Sequence, residues 1–86
     1  MKKNIAIIGS TGSIGTQSLE VIGQHPDEFE VEVLAALDNA DLLIQQALEF
    51  KPNSVVIGNK ELYNKVRDAL NDHVIKVFSG EDSTTQ

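Results

Sequence analysis

Gly9, Gly12 and Gly15 recur at three-residue intervals in Gly9-Ser10-Thr11-Gly12-Ser13-Ile14-Gly15, directly behind the apolar run Ile5-Ala6-Ile7-Ile8. The chemistry open to such a loop is the binding of a dinucleotide pyrophosphate. That anion needs backbone N–H groups aimed at it, no side chain in the way, and the positive end of a following helix. Gly9 would make the tight turn, Gly12 would let the backbone approach the phosphates, and Gly15 would let the helix lie close against the first strand. The hydroxyls of Thr11 and Ser13 suit phosphate oxygens, or bond locally to the turn backbone. A second candidate is Asp38-Asn39 at the end of the second strand. An acid about twenty residues past such a loop contacts the adenosine ribose hydroxyls and favours NAD. Asp38 or Asn39 is equally placed to cap the second helix.

The remaining titratable residues form no catalytic or metal-ligating constellation. His25 and His73 fall in separate connections, without a carboxylate at metal or triad spacing, and read as surface histidines. Asp27, Glu28, Glu30 and Glu32 cluster in sequence, but an extended segment points alternate side chains to opposite faces, so they read as a solvated rim. Tyr63 has no lysine four residues on and does not make a Tyr-Lys reductase pair. The absence of cysteine excludes disulfides and thiolate metal sites and fits a reducing compartment.

Strand before and helix after are both required of a phosphate loop, and the pattern supplies them in a β-α-β-α-β-α-β order. A first helix starts near Ile14, with Ser13 as N-cap, and puts Ile14, Leu19, Val21 and Ile22 on one broad face. His25-Pro26-Asp27 interrupts it. Glu30 to Leu37 reads as a second strand, in which Val31, Val33 and Ala35 alternate with Glu30, Glu32 and Leu34. A second helix runs from Ala40 to Phe50, with Ala40, Leu43, Ile44, Ala47 and Leu48 as its apolar stripe, and Lys51-Pro52-Asn53 stops it. Val55 to Ile57 is a short buried strand. Asn59 caps a third helix whose Leu62, Val66, Ala69 and Leu70 share a face; Val74 to Phe78 is a fourth strand, followed by Ser79-Gly80 and a polar tail from Glu81 to Gln86.

The expected fold class is therefore α/β, a Rossmann-like parallel sheet with flanking helices. Eighty-six residues allow one domain at most, with a modest core. A dinucleotide site needs a strand on each side of the first, and this chain supplies mainly one side. Stacking strands two, three and four on one flank would leave an apolar edge bare, so residues 1–86 read as a partial, amino-terminal NAD(P)-binding domain of a longer protein. Thirteen acids against seven bases give a net charge of −6, with no basic run longer than Lys2-Lys3, which argues against a nucleic-acid or anionic-membrane partner. The apolar stretch after those lysines is too short for a signal peptide, leaving the cytoplasm as the expected location.

Beyond the loop, Leu19-Glu20-Val21-Ile22, His25-Pro26 with Phe29, Leu48-Glu49-Phe50-Lys51-Pro52, Val55-Val56-Ile57 and Val77-Phe78-Ser79-Gly80 occur in an order that resembles the amino terminus of the 1-deoxy-D-xylulose 5-phosphate reductoisomerases. The resemblance covers essentially the whole chain, and the family's chains are several times longer. It implies an NADPH- and divalent-metal-dependent oxidoreductase, using Mg or Mn. Such an enzyme converts 1-deoxy-D-xylulose 5-phosphate to 2-C-methyl-D-erythritol 4-phosphate in isoprenoid-precursor synthesis, as a homodimer. By matching position it implies cofactor contacts at Thr11, Gly12, Ser13, Ile14 and Asn39. It places no catalytic residue or metal ligand in this chain, so the segment alone is expected to be inactive. Many members carry Gly, Lys or Arg, and Asn where this chain has Leu37-Asp38-Asn39. The base that would pair with the 2'-phosphate is absent; a charged hydrogen bond is worth about 1.5 to 3 kcal/mol, or roughly one to two decades in NADPH affinity. Two other classes use related loops: a different nicotinamide reductase, marked downstream by a Tyr-x-x-x-Lys pair or a nucleophilic cysteine, and a non-enzymatic nucleotide-binding module.

Overall fold

Apolar periodicity that switches between two and about 3.6 residues gives strands and helices in the expected order. The computed structural model describes residues 2–80 as β1 (Lys3–Ile8), α1 (Ser13–Gln24), β2 (Phe29–Ala36), α2 (Ala40–Phe50), β3 (Ser54–Ile57), α3 (Tyr63–Ala69) and β4 (Lys76–Ser79). A short 3-10 turn, Lys60–Leu62, leads into α3. The expected polar tail, Glu81 to Gln86, lies outside the described residues.

The four strands are parallel and lie in chain order, β1-β2-β3-β4. Because each crossover steps in the same direction, connections of the usual right-handed sense bring all three helices to one face of the sheet. On that face the row Ile7, Leu34, Val55, Val77 is in register across the four strands, and Leu34 and Val55 are fully buried. Leu19 and Ile22 of α1, Leu43 and Ala47 of α2, Val66 of α3 and Leu70 at its end complete this core. Each large apolar side chain buried there contributes about 1.5 to 3 kcal/mol.

The next row, Ile8, Ala35, Val56, Phe78, points to the opposite face. Parallel sheets are normally covered on both faces, yet here Ile8 is 78% exposed and Phe78 42%. Among the described residues no element covers this row. Among the described residues the sheet gives β1 a neighbour only on the β2 side.

Several local expectations are corrected. A bulge opposite Ile5 and Ala6 makes Val31 to Val33 of β2 face two consecutive residues of β1. The extra residue, Glu32, shifts the phase, so the buried side of β2 is Val31, Leu34 and Ala36 instead of Val31, Val33 and Ala35. β2 also spans Phe29–Ala36, leaving Leu37 outside and 70% exposed. On α1, Ile14 and Val21 face solvent and the core side is Gly15, Leu19 and Ile22. On α2 the stripe is rotated: Leu48 is exposed, while Gln46 is buried beside Leu43 and Ala47. Asn59 caps the 3-10 turn rather than α3 itself, and Ala69 is exposed. Val74 is wholly exposed, and β4 begins at Lys76, whose N–H donates to Asn53 O at 3.0 Å.

Candidate functional site

β1 delivers the chain to the glycine loop at the carboxyl edge of the sheet. Gly9 has φ +75°, a left-handed conformation that side-chain-bearing residues rarely adopt. Its N–H and that of Ser10 both donate to Ala35 O at 2.8 Å, tying the turn to the end of β2. Gly12 N–H donates back to Gly9 O at 3.0 Å and closes the turn. Both the turn expected of Gly9 and the close approach expected of Gly15 are present. A Cβ on Gly15 would collide with Gly9 O and come within 2.7 Å of Ser10 Cα. Gly15 therefore allows α1 to lie against the loop leaving β1.

Gly12 differs from both. Its backbone is extended, φ −81° and ψ 176°, which any residue can adopt, and a Cβ there would meet only Gly9 O at 3.4 Å, an ordinary contact. The fold makes no use of the missing side chain.

Gly12, and not Ser13, is the N-cap of α1, so the expected Ser13 cap is corrected. The reason lies in the turn: the closing Gly12-to-Gly9 bond is followed by Thr16 N–H donating to Gly12 O at 2.9 Å, which makes Ser13 the first helical residue. With glycine at the cap, no side chain among the described residues satisfies the helix N-terminus, and the first turn carries no acid. The N–H groups of Ser13, Ile14 and Gly15 precede the first intrahelical bond and have no acceptor within the helix. α2 is built differently. Asn39 Oδ1 accepts from Leu42 N–H at 3.2 Å, and Asp41 sits in the first turn. The α1 end is thus left with the donors and the partial positive charge that suit an anion.

Ile14 projects from this first turn, 80% exposed, next to exposed Ile8. Together with Ala6, Gly9, Gly12 and Ser13 they line an open groove of about 620 Å³. An apolar wall beside a row of backbone donors is the usual composition of a nucleotide cleft. Asn39 stands at the carboxyl end of the neighbouring strand, and its cap bond leaves the amide nitrogen available. Asp38 does not cap; its Oδ1 accepts from Asn59 Nδ2 at 3.2 Å. Both Asp38 and Asn39 are exposed. The structure thus groups Thr11, Gly12, Ser13 and Ile14 at one loop and places Asn39 at the next strand end. Loop and Asn39 share the carboxyl edge of the sheet, where ligands of such sheets bind.

The other candidates lie elsewhere. His25 ends α1, 3.6 Å from Glu28 and edge-on to Phe29, and Tyr63 lies under the Arg67 guanidinium at 6.0 Å. Asp27, Glu28 and Glu30 are exposed, and the described residues hold no group of three His, Cys, Asp or Glu fit for a metal. One residue escaped the sequence reading: buried Gln46, whose Nε2 donates to Ser10 O at 2.8 Å. Its only signal was a glutamine three residues past Leu43 and next to Ala47, inside an otherwise apolar stripe.

A parallel sheet with a glycine turn at the end of β1, feeding an uncapped helix, defines a Rossmann-like α/β domain of the dinucleotide-binding type. Within that class the chain belongs to the 1-deoxy-D-xylulose 5-phosphate reductoisomerase family, whose model matches residues 5–86. The reductoisomerase of Phocaeicola vulgatus is 54% identical over 86 residues, 100% of this chain and 22% of the relative. That of Porphyromonas gingivalis is 54% identical over 83 residues, 96% of this chain and 22% of the relative. Among solved structures, the Zymomonas mobilis reductoisomerase in complex with NADPH superposes with a TM-score of 0.92 at 29% identity, covering 96% of this chain and 22% of that one. A reductoisomerase in complex with NADPH, fosmidomycin and magnesium gives 0.87 at 29% identity, covering 94% of this chain and 20% of that one. The chain therefore spans about a fifth of the length of the relatives it matches.

Proposed function

We propose that this chain is the amino-terminal, cofactor-binding segment of a 1-deoxy-D-xylulose 5-phosphate reductoisomerase. The parent enzyme isomerises and reduces its substrate to 2-C-methyl-D-erythritol 4-phosphate with NADPH and a divalent metal, Mg or Mn, in isoprenoid-precursor synthesis. The observation that carries the reading is Gly12: a position where the backbone would accept a side chain, facing a groove and bare beside helix N–H groups that no described residue accepts. That is what close approach of a phosphate demands.

The residues present fit the nucleotide. The N–H groups of Ser13 and Ile14 would hold the pyrophosphate, the Thr11 and Ser13 hydroxyls would add donors, and the Ile14 side chain would exclude water from one side. Asn39 would bind the adenosine end through its free amide nitrogen. Bound NADPH supplies a hydride; the work of this segment is to orient and shield its carrier. Solved relatives are described with NADPH and with magnesium, which supports the same partners here.

Metal ligands and the sugar-phosphate site fall to residues outside this segment. The rest of a longer chain also supplies the second layer over Ile8, Ala35, Val56 and Phe78 and a strand beside β1. Such a strand puts the glycine loop where strand order reverses, the position at which these sheets bind ligands. The parent enzyme is a cytoplasmic homodimer in this reading, with a small phosphorylated sugar and no nucleic acid or membrane as partner. No helix among the described residues is long and apolar enough to cross a membrane.

Asp38 bears on cofactor choice. Its carboxylate, oriented by Asn59, stands beside Asn39 where a 2'-phosphate would approach, and its charge opposes that group. The parent enzyme is expected to discriminate less between NADPH and NADH than members with a base at this position.

The test of the function is turnover by the full-length enzyme. With 1-deoxy-D-xylulose 5-phosphate and Mg, NADPH is expected to be oxidised with formation of 2-C-methyl-D-erythritol 4-phosphate. A folded full-length enzyme that leaves both unchanged contradicts the assignment.

A further inference from the structure

Gln46 sits on α2, 6% exposed, two turns beyond Asn39, and its Nε2 donates to Ser10 O at 2.8 Å. Ser10 is itself wholly buried. This contact joins residues 36 apart in sequence and is the one side-chain hydrogen bond among the described residues that reaches the glycine loop from another element. It comes at a cost. Gln46 Oε1 and Ser10 Oγ are both buried without a partner among the described residues, and each unpaired buried polar atom is unfavourable. An apolar side chain of similar volume would fill the space between α2 and the loop without that cost. What glutamine alone adds is a donor for the Ser10 carbonyl.

The direction of that carbonyl matters because of the peptide plane it belongs to. All described peptide bonds are trans. In a trans peptide the C=O of one residue and the N–H of the next point in opposite directions. With Ser10 O drawn inward to α2, the Thr11 N–H is turned away from α2 and out of the core. Among the described residues that N–H donates no hydrogen bond. Rotation of the same plane would bury the Thr11 donor and present a carbonyl oxygen instead, which repels a phosphate.

We infer that Gln46 is a positioning residue for the cofactor: by holding the Ser10 carbonyl inward, it aims the Thr11 amide N–H at the phosphate bound by the glycine loop. The inference rests on the nucleotide-binding reading given above and adds to it a residue that touches no ligand. α2 then serves the cofactor at two places, through Asn39 at its start and through Gln46 on its buried side.

The test uses the full-length enzyme carrying Gln46→Met, which keeps volume and removes the donor. Its NADPH dissociation constant and cofactor KM are expected to rise about tenfold, the loss of one hydrogen bond of about 1.4 kcal/mol. The KM for the sugar phosphate should stay near that of the parent, and any change in kcat should be several times smaller than the change in cofactor KM. A general loss of packing would move both KM values and kcat together. Gln46→Glu provides the second arm. A buried carboxyl beside a carbonyl titrates well above the usual carboxylate range, to about 8 or 9 when fully buried, so at about pH 6 it is protonated and donates, and at about pH 10 it is ionised and cannot. NADPH affinity relative to the parent is expected to be close to normal at the lower pH and lost at the higher. Unchanged NADPH affinity in Gln46→Met, or equal losses for cofactor and sugar phosphate, overturns the inference. If Gln46→Met does not fold, equal NADPH affinity of Gln46→Glu relative to parent at both pH values overturns it. A parent enzyme that binds no nicotinamide nucleotide overturns the site reading itself, a separate result.

Discussion

Gly12→Val in the full-length enzyme is expected to lower NADPH affinity at least about a hundredfold while leaving the protein folded. Each hydrogen bond from the loop to an anionic phosphate is worth about 1.5 to 3 kcal/mol, so displacing the phosphate from the Ser13 and Ile14 N–H groups accounts for that factor. The fold tolerates the change. At φ −81° and ψ 176° Gly12 is in the extended region that valine favours, and its Cβ would find Gly9 O at an ordinary 3.4 Å. Loss of a good N-cap residue costs about 1 kcal/mol, visible as a small fall in the cofactor-free thermal midpoint. Calorimetric titration separates the two effects. Retained NADPH affinity in Gly12→Val places the phosphate elsewhere.

Gly15→Ala is expected to do the reverse in sequence of cause: it damages the fold first, and cofactor binding only as a result. Alanine gains about 1 kcal/mol in helix propensity over glycine. Its Cβ, however, runs into Gly9 O and the backbone of Ser10, atoms that belong to a turn fixed by the Gly9 and Ser10 bonds to Ala35 O and cannot swing aside. Overpacking against backbone at the upper end of its usual range costs about 3 kcal/mol, so the net loss is about 2 kcal/mol. The thermal midpoint without cofactor should fall by about 4 to 8 °C. An unchanged midpoint would mean that α1 can move off the loop freely, and that its close packing does not hold the site. Of the two glycines three residues apart, one is thus expected to serve the ligand and the other the chain.

That distinction was only half legible in the amino-acid sequence. The spacing of Gly9, Gly12 and Gly15 behind four apolar residues indicated the strand, the loop and the helix, because a period of two gives way to one near 3.6 with turn residues between. It did not show which glycine the fold itself needs, since that depends on the approach of α1 to Gly9 and Ser10. The alternation of β and α elements was legible for the same reason; the monotonic strand order was not, because parallel crossovers are equally compatible with orders that place β1 inside the sheet. The bulge at Glu32 was not. Its only trace is that Val31 and Leu34 are three apart where a regular strand would bury residues two apart, and pattern matching through Val33 and Ala35 hides it. Helical spacing puts Ile14 on one broad apolar face with Leu19 and Ile22, yet it is exposed, because the helix begins at Ser13 and turns its first residues toward the groove. Gln46 was invisible for a related reason: the core side of α2 is set by the loop it packs against, and the buried glutamine there donates to a backbone carbonyl distant in sequence.

The central claim is that the donors of the glycine loop hold the cofactor, and amide hydrogen exchange in the full-length enzyme reads those donors directly. Thr11, Ser13 and Ile14 have no acceptor for their N–H groups from the described residues and should exchange quickly without nucleotide. Saturating NADPH is expected to slow exchange across residues 11–14 and to leave α3 unaffected. Unchanged exchange at residues 11–14 with NADPH bound would contradict the account.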